Sequence, residues 1–112
     1  MKCFWFVEFP AFTKRLLEIG NDEVLRTLQN EIMEYPERGK VIVGAGGFRK
    51  IRVKLPGRGK SGGARAIYLL VKEADAVVFV TIYTKADQSD LSPQEKRILM
   101  MLAVEIKEEI RK

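Results

Sequence analysis

At 112 residues with 46% hydrophobic content, the chain is long enough to bury one core and too short for two, so residues 1–112 are expected to form a single domain. The net charge is +5, histidine is absent and Cys3 is the only cysteine. Those counts exclude an internal disulfide, a thiolate zinc cage, a Cys-X-X-Cys redox pair, histidine triads, most catalytic zinc sites and cleavage by paired imidazoles.

Residues 3–9 are aromatic and apolar enough for a strand, which Pro10 closes, and Cys3 reads as a small buried residue within it. The stretch is not a secretory leader, because Glu8 interrupts it and no small-residue cleavage site follows. No run approaches the roughly 18 apolar residues of a membrane span. A soluble, cytoplasmic protein without a membrane partner is expected.

From Ala11 to Ile19 the residues Phe12, Leu16 and Ile19 recur at helical spacing, with Gly20 as the stop. Asn21 then offers an N-cap, and Asp22 and Glu23 occupy a first turn where the helix dipole favours negative charge. Val24, Leu25, Leu28, Ile32 and Tyr35 form the apolar stripe of a second helix ended by Pro36, so a helical hairpin is predicted.

A loop is expected from Pro36 to Gly47, with Gly44, Gly46 and Gly47 serving its turns. The segment Lys50-Ile-Arg-Val-Lys-Leu55 alternates strictly between cation and aliphatic residue. Successive side chains of a strand point to opposite faces, so Ile51, Val53 and Leu55 face the core while Lys50, Arg52 and Lys54 project together from the other side. Residues 56–65 contain Gly59-Lys60-Ser61, the tail of a phosphate-binding P-loop. The first glycine of that motif is replaced by Lys54 and no parallel βαβ unit surrounds it, so the nucleotide-binding reading fails and no cofactor is expected.

Arg65–Lys72 and Ala76–Lys85 read as two further strands joined by a short turn at Glu73-Ala-Asp75, which implies an antiparallel meander. Ser92-Pro93-Gln94-Glu95 is a capping box with proline at the first helical position. It opens a last helix whose packing stripe is Ile98, Leu99, Leu102, Ala103, Ile106 and Ile110, with Met100 and Met101 as core or rim or, alternatively, an exposed partner-binding patch. The predicted class is α+β: an antiparallel sheet of about four strands, an N-terminal helical hairpin and a C-terminal helix.

Charge is distributed unevenly along this frame. Residues 38–72 hold Arg38, Lys40, Arg49, Lys50, Arg52, Lys54, Arg58, Lys60, Arg65 and Lys72 and no acid, whereas the segments on either side are net acidic. So one-sided a segment repels itself on folding, and a polyanionic partner relieves that repulsion.

Three separated stretches, Gly46-Gly47-Phe48-Arg49-Lys50-Ile51-Arg52-Val53, then Gly57 through Arg65-Ala-Ile-Tyr68, then Ile82-Tyr-Thr-Lys85 through Leu91, closely resemble the RelE/HigB toxin family in its HigB branch. The resemblance covers nearly the whole chain. It implies a RelE/ParE-like fold and the toxin of a bacterial type II toxin-antitoxin pair: a metal-independent endoribonuclease that enters the A site of the 30S ribosomal subunit and cuts the messenger there. It also implies a cognate antitoxin, a HigA-like helix-turn-helix protein. Carried over position by position, the family's catalytic cations fall on Lys50, Arg52, Arg65 and Lys85. Ala86 and Ser92 depart from the best-known RelE pattern, which has arginine and a base-stacking tyrosine at those places, and both departures fit the HigB branch.

Metal-free RNA cleavage uses the adjacent 2'-hydroxyl as nucleophile, and without histidine its protons fall to Lys, Tyr, a carboxylate or the substrate. A lysine crowded by other cations gives up its proton more readily, which makes Lys50 and Lys85 candidate bases. Arg52 and Arg65 are suited to grip the phosphate through paired hydrogen bonds. Tyr83, on the strand face of Lys85, either stacks on a base, assists proton transfer or is an ordinary strand tyrosine. Arg49 and Lys54 extend the RNA-binding set, and Arg58 and Lys60 on the glycine-rich tip reach the RNA backbone. Two alternatives share this basic face: a ParE-like gyrase-inhibiting toxin and a non-catalytic RNA-binding module.

Overall fold

A computed structural model describes residues 4–57, 63–87 and 90–111. The elements run β1 (Trp5–Glu8), α1 (Pro10–Ile19), α2 (Asp22–Glu34), β2 (Lys40–Val41), β3 (Arg49–Val53), β4 (Ala64–Val71), β5 (Ala76–Thr84) and α3 (Pro93–Arg111). They form one sheet of order β1-β5-β4-β3-β2, antiparallel throughout except that β1 runs parallel to β5. The class is α+β as the sequence implies. The sheet has five strands instead of about four, because Lys40 and Val41, within the expected loop, pair with Lys50 and Arg49. Cys3, Arg58 and Lys60 lie outside the described residues.

Each face of the sheet carries its own apolar layer. Phe12 and Leu16 of α1 and Val24, Leu28 and Ile32 of α2 pack on Ile51, Val53, Tyr68, Val77, Phe79 and Ile82. Leu99, Ala103 and Ile106 of α3 cover Phe48, Ile67, Leu69, Val78, Val80 and Tyr83 on the opposite face. The predicted α3 stripe therefore starts one residue late: Ile98 is 55% exposed, and Met100 and Met101 also face solvent. Leu102 and Ile110 remain half-buried against the layer.

Local chemistry explains the element ends. The Asn21 side chain accepts the Val24 amide at 3.0 Å, and Ser92 and Glu95 close a reciprocal capping box at 3.1 and 2.8 Å. Between β4 and β5 a 3-10 turn, Lys72–Ala74, ends on Asp75 at φ 50°, a left-handed conformation that aspartate tolerates. Gly46 combines φ 69° with a close approach to α3: a Cβ there would sit 2.9 Å from the Met100 Cα and the Ala103 Cβ.

A β-bulge re-phases β5. Ile67 pairs with Thr81 and Tyr68 with Phe79, leaving Val80 as the extra residue. Val78 and Val80 thus face α3, and after the bulge so does Tyr83, while Phe79 and Ile82 face α1 and α2. Tyr68 locks the entry to β2: its hydroxyl accepts the Gly39 amide and donates to the Pro36 carbonyl, both at 2.9 Å. Burial pushes this phenol above its ordinary pKa. Tyr68→Phe orphans the buried Gly39 N–H, so urea unfolding should show a loss of about 1–3 kcal/mol with an unchanged m-value.

Candidate nucleic-acid interface

The row Arg52, Arg65 and Tyr83 crosses three strands in direct register, because Arg52 pairs with Arg65 and Arg65 with Tyr83. Lys50 stands two residues before Arg52 on the same strand face, and Lys40 is its partner on β2. β2 covers only Arg49 and Lys50, so among the described residues the outer edge of β3 has no strand partner beyond that point. A cleft of about 650 Å³ opens there, lined by Arg38, Lys40, Lys50, Arg52, Lys54 and Arg65, with Ile51 at its floor and Glu31 of α2 on its wall.

Lys50, Arg52, Lys54 and Arg65 are therefore brought together, joined by Arg38 and Lys40. The remaining candidates are placed differently. Arg49 turns to the opposite face, where its guanidinium donates to the carbonyls of Glu37 at 3.1 Å and Gly39 at 2.7 Å and pairs with the Glu37 carboxylate at 3.6 Å. Lys85 is exposed in the turn just past β5 and does not line the cleft. Tyr83 is buried under α3, and its hydroxyl has no hydrogen-bond partner among the described residues. Burial, then the charge of Asp90, pushes its phenol upward, with Arg65 pulling the other way. So enclosed a ring has no face free for stacking.

Three acids border this region. Lys72 and, more weakly, Arg49 hold the Glu37 carboxylate below its usual range, the Lys72 ammonium lying 2.7 Å away. Asp90 lies 3.5 Å from the Lys50 ammonium, and its carboxylate is depressed first by the Leu91 amide and then by Lys50. Lys50, expected to be crowded by cations, thus also has a carboxylate beside it. Asp87 accepts both Arg15 contacts at 2.7 Å and the Thr84 amide at 2.9 Å, tying the turn after β5 to α1.

Sequence reasoning missed Glu31, which looks like any polar residue on the solvent side of α2. Arg38 and Lys40 were visible only as part of the basic run, since nothing in the Pro36–Gly47 stretch betrays a two-residue strand. Among the described residues no group of three or more His, Cys, Asp or Glu could hold a metal ion, and no helix is long and apolar enough to cross a membrane.

A five-stranded sheet with helices on both faces and a cationic cleft at its edge defines a small α+β protein with a basic sheet edge. Residues 4–111 match the family model described as the RelE toxin of the RelE / RelB toxin-antitoxin system. The chain belongs to the RelE toxin family.

Solved structures agree on the fold. A doubly substituted E. coli RelE toxin in the free state superposes with a TM-score of 0.58 at 18% identity, over 79% of this chain and 90% of that one. The isolated E. coli RelE toxin gives 0.56 at 17%, over 89% and 99%. The intact E. coli RelBE toxin-antitoxin complex gives 0.55 at 22%, over 73% and 96%.

The Arg15–Asp87 clamp is testable by pH. Arg15, then the Thr84 amide, holds the Asp87 carboxylate below its ordinary range. Its folded pKa is below the unfolded one, so the stabilisation is present above about pH 3.9 and is lost as pH falls through the lower folded value. Thermal unfolding of Asp87→Asn should lack this part of the acid decline; a decline identical to wild type would show that the clamp does not contribute.

Proposed function

We propose that this RelE-family toxin belongs to the HigB branch and is a ribosome-dependent endoribonuclease that cuts messenger RNA in the 30S A site, so halting translation. The observation that carries this reading is the meeting of Lys50, Arg52 and Arg65 in one solvent-open cleft with, among the described residues, a single carboxylate in its lining. Arg52 and Arg65 are paired across adjacent strands, and although one Arg65 nitrogen donates to the Ala64 carbonyl at 3.0 Å, the remaining guanidinium N–H groups are assigned to one phosphate, which suits a transition state whose charge builds on the phosphoryl oxygens. Arg38, Lys40 and Lys54 extend the cationic surface along the sheet edge, where a phosphate chain can be held without reading its bases.

Lys50, 3.5 Å from the Asp90 carboxylate, is assigned to protonation of the leaving 5'-oxygen. Lys85, outside the cleft, is assigned to substrate contact near the end of β5, and Tyr83 to support beneath Arg65. Arg58 and Lys60 are assigned to the ribosomal RNA backbone. The partner that silences the toxin is a cognate antitoxin, here of the HigA-like helix-turn-helix kind; the E. coli RelBE complex is a precedent for such pairing within the family. The chain is expected to act in the cytoplasm, where its ribosomal target is.

Mapping message ends in a translating extract tests the reading. Wild type should generate new ends within the open reading frame. Arg65→Ala should cut about 100-fold or more slowly while still cosedimenting with ribosomes, and Lys85→Ala should lose less. Intact message together with inhibited supercoiling by purified gyrase would instead identify a ParE-like toxin, and intact message with tight ribosome binding a non-catalytic RNA-binding module.

A further inference from the structure

We infer that Glu31 is the general base that takes the 2'-hydroxyl proton, an assignment that rests on the ribonuclease reading above. Among the described residues it is the only carboxylate lining the cleft of Arg38, Lys40, Lys50, Arg52, Lys54 and Arg65. It comes from α2, around the uncovered edge of β3, and so faces the cations from the opposite wall. The neighbouring cleft of about 470 Å³ between α2 and β3, whose lining includes Glu23, Thr27, Glu31, Arg52 and Lys54, shares Glu31, Arg52 and Lys54 with it.

The acids around the Lys50 and Tyr83 end of the sheet are otherwise engaged, and Glu23, which lines the neighbouring cleft, does not line this one. The chain has no histidine. The Tyr83 hydroxyl is sealed beneath α3, Asp90 lies against Lys50, Asp87 is held by Arg15 and the Thr84 amide, and Glu37 is held by Lys72. No ion pair among the described residues engages Glu31. A half-buried carboxylate left unpaired beside six cations does not serve the fold as a clamp. Its position serves a bound polyanion poorly too, because it repels phosphate.

A base role accounts for both features. The 2'-hydroxyl proton passes to the Glu31 carboxylate as the 2'-oxygen bonds to phosphorus. The bond from phosphorus to the 5'-oxygen breaks, and that oxygen takes a proton from the Lys50 ammonium. The products are a 2',3'-cyclic phosphate and a 5'-hydroxyl, and solvent then returns the proton from Glu31 to Lys50.

Charge and catalysis make opposite predictions for Glu31→Gln, which removes a negative charge from the cleft while keeping the shape. If Glu31 is the base, the variant should bind programmed ribosomes as tightly as wild type or more tightly, yet cut about 100-fold or more slowly. The decline of the wild-type rate toward acid pH should be absent from its residual activity, and Glu31→Asp should recover part of the rate. Far-UV dichroism and thermal unfolding like wild type would establish that it folds. Faster cutting in step with tighter binding would overturn the assignment and leave Glu31 as a brake on affinity. Wild type that cuts, with Glu31→Gln cutting equally well, would sink the base but spare the ribonuclease, whereas wild type that binds ribosomes without cutting would sink both.

Discussion

The alternation of cation and aliphatic residue along β3 fixes everything around it. Ile51, Val53 and Leu55 are buried, while Arg52 and Lys54 are exposed and Lys50 is half-exposed. A register slip of one residue would exchange the two sets, driving three cations into the layer under α1 and α2 and three aliphatic side chains into water. Burying even one unpaired charge costs several kcal/mol, comparable with the whole stability of a small protein. The register is thus held by the charges as firmly as by the core, and the residues that define the cleft also keep the strand in place.

That register propagates. Once β3 is set, β4 places Arg65 opposite Arg52, and β5 places Tyr83 opposite Arg65. The Val80 bulge makes the last step possible, since uninterrupted alternation from Val78 would have turned Ile82 toward α3 and Tyr83 away from it. The result is the row Arg52, Arg65 and Tyr83 at one end of the sheet face on which Ile67, Leu69 and Val78 lie under α3. Folding free energy comes from the two apolar layers. Exposed ion pairs such as Lys72–Glu37 and Arg111–Glu73 add little, so the basic edge exists at the expense of stability.

The sequence discloses this organisation unevenly, for physical reasons. Long elements with strong periodicity or chemical caps were legible: α2 from Asn21 and from Val24, Leu28 and Ile32 of its stripe, though Tyr35, expected to close that stripe, caps the helix and is 64% exposed; the start of α3 from its capping box; and β3 from its strict alternation. β2 was not, because two residues carry no period, and Lys40 and Val41 become a strand only when Lys50 and Arg49 offer them backbone partners. Ile98 was placed in the core because a helical stripe is wider in sequence than the contact it makes. Grouping Lys50, Arg52, Lys54 and Arg65 was within reach, since they lie on two strands joined by a short hairpin. Adding Glu31 was not, because its contribution depends on α2 passing the edge of β3, a relation no local pattern encodes. Arg49, expected among the RNA-binding cations, donates instead to two backbone carbonyls, which its charge alone does not disclose.

The edge location has its own logic. On the open middle of a sheet face, side chains approach a substrate from one side only, and here α3 already occupies that face over Ile67, Leu69 and Val78. At the edge, where β2 ends beside Lys50, side chains arrive from both faces: guanidinium and ammonium groups from the α3 side of the sheet, a carboxylate from the helical hairpin on the other. Opposite charges can then flank a phosphodiester without neutralising each other through direct contact, which a single strand face cannot arrange because its side chains stand in one row. A strand of only two residues is what leaves the edge open. Lengthening β2 along β3 would complete the hydrogen-bond ladder and close the cleft, so the short strand is as much a part of the site as the cations beside it.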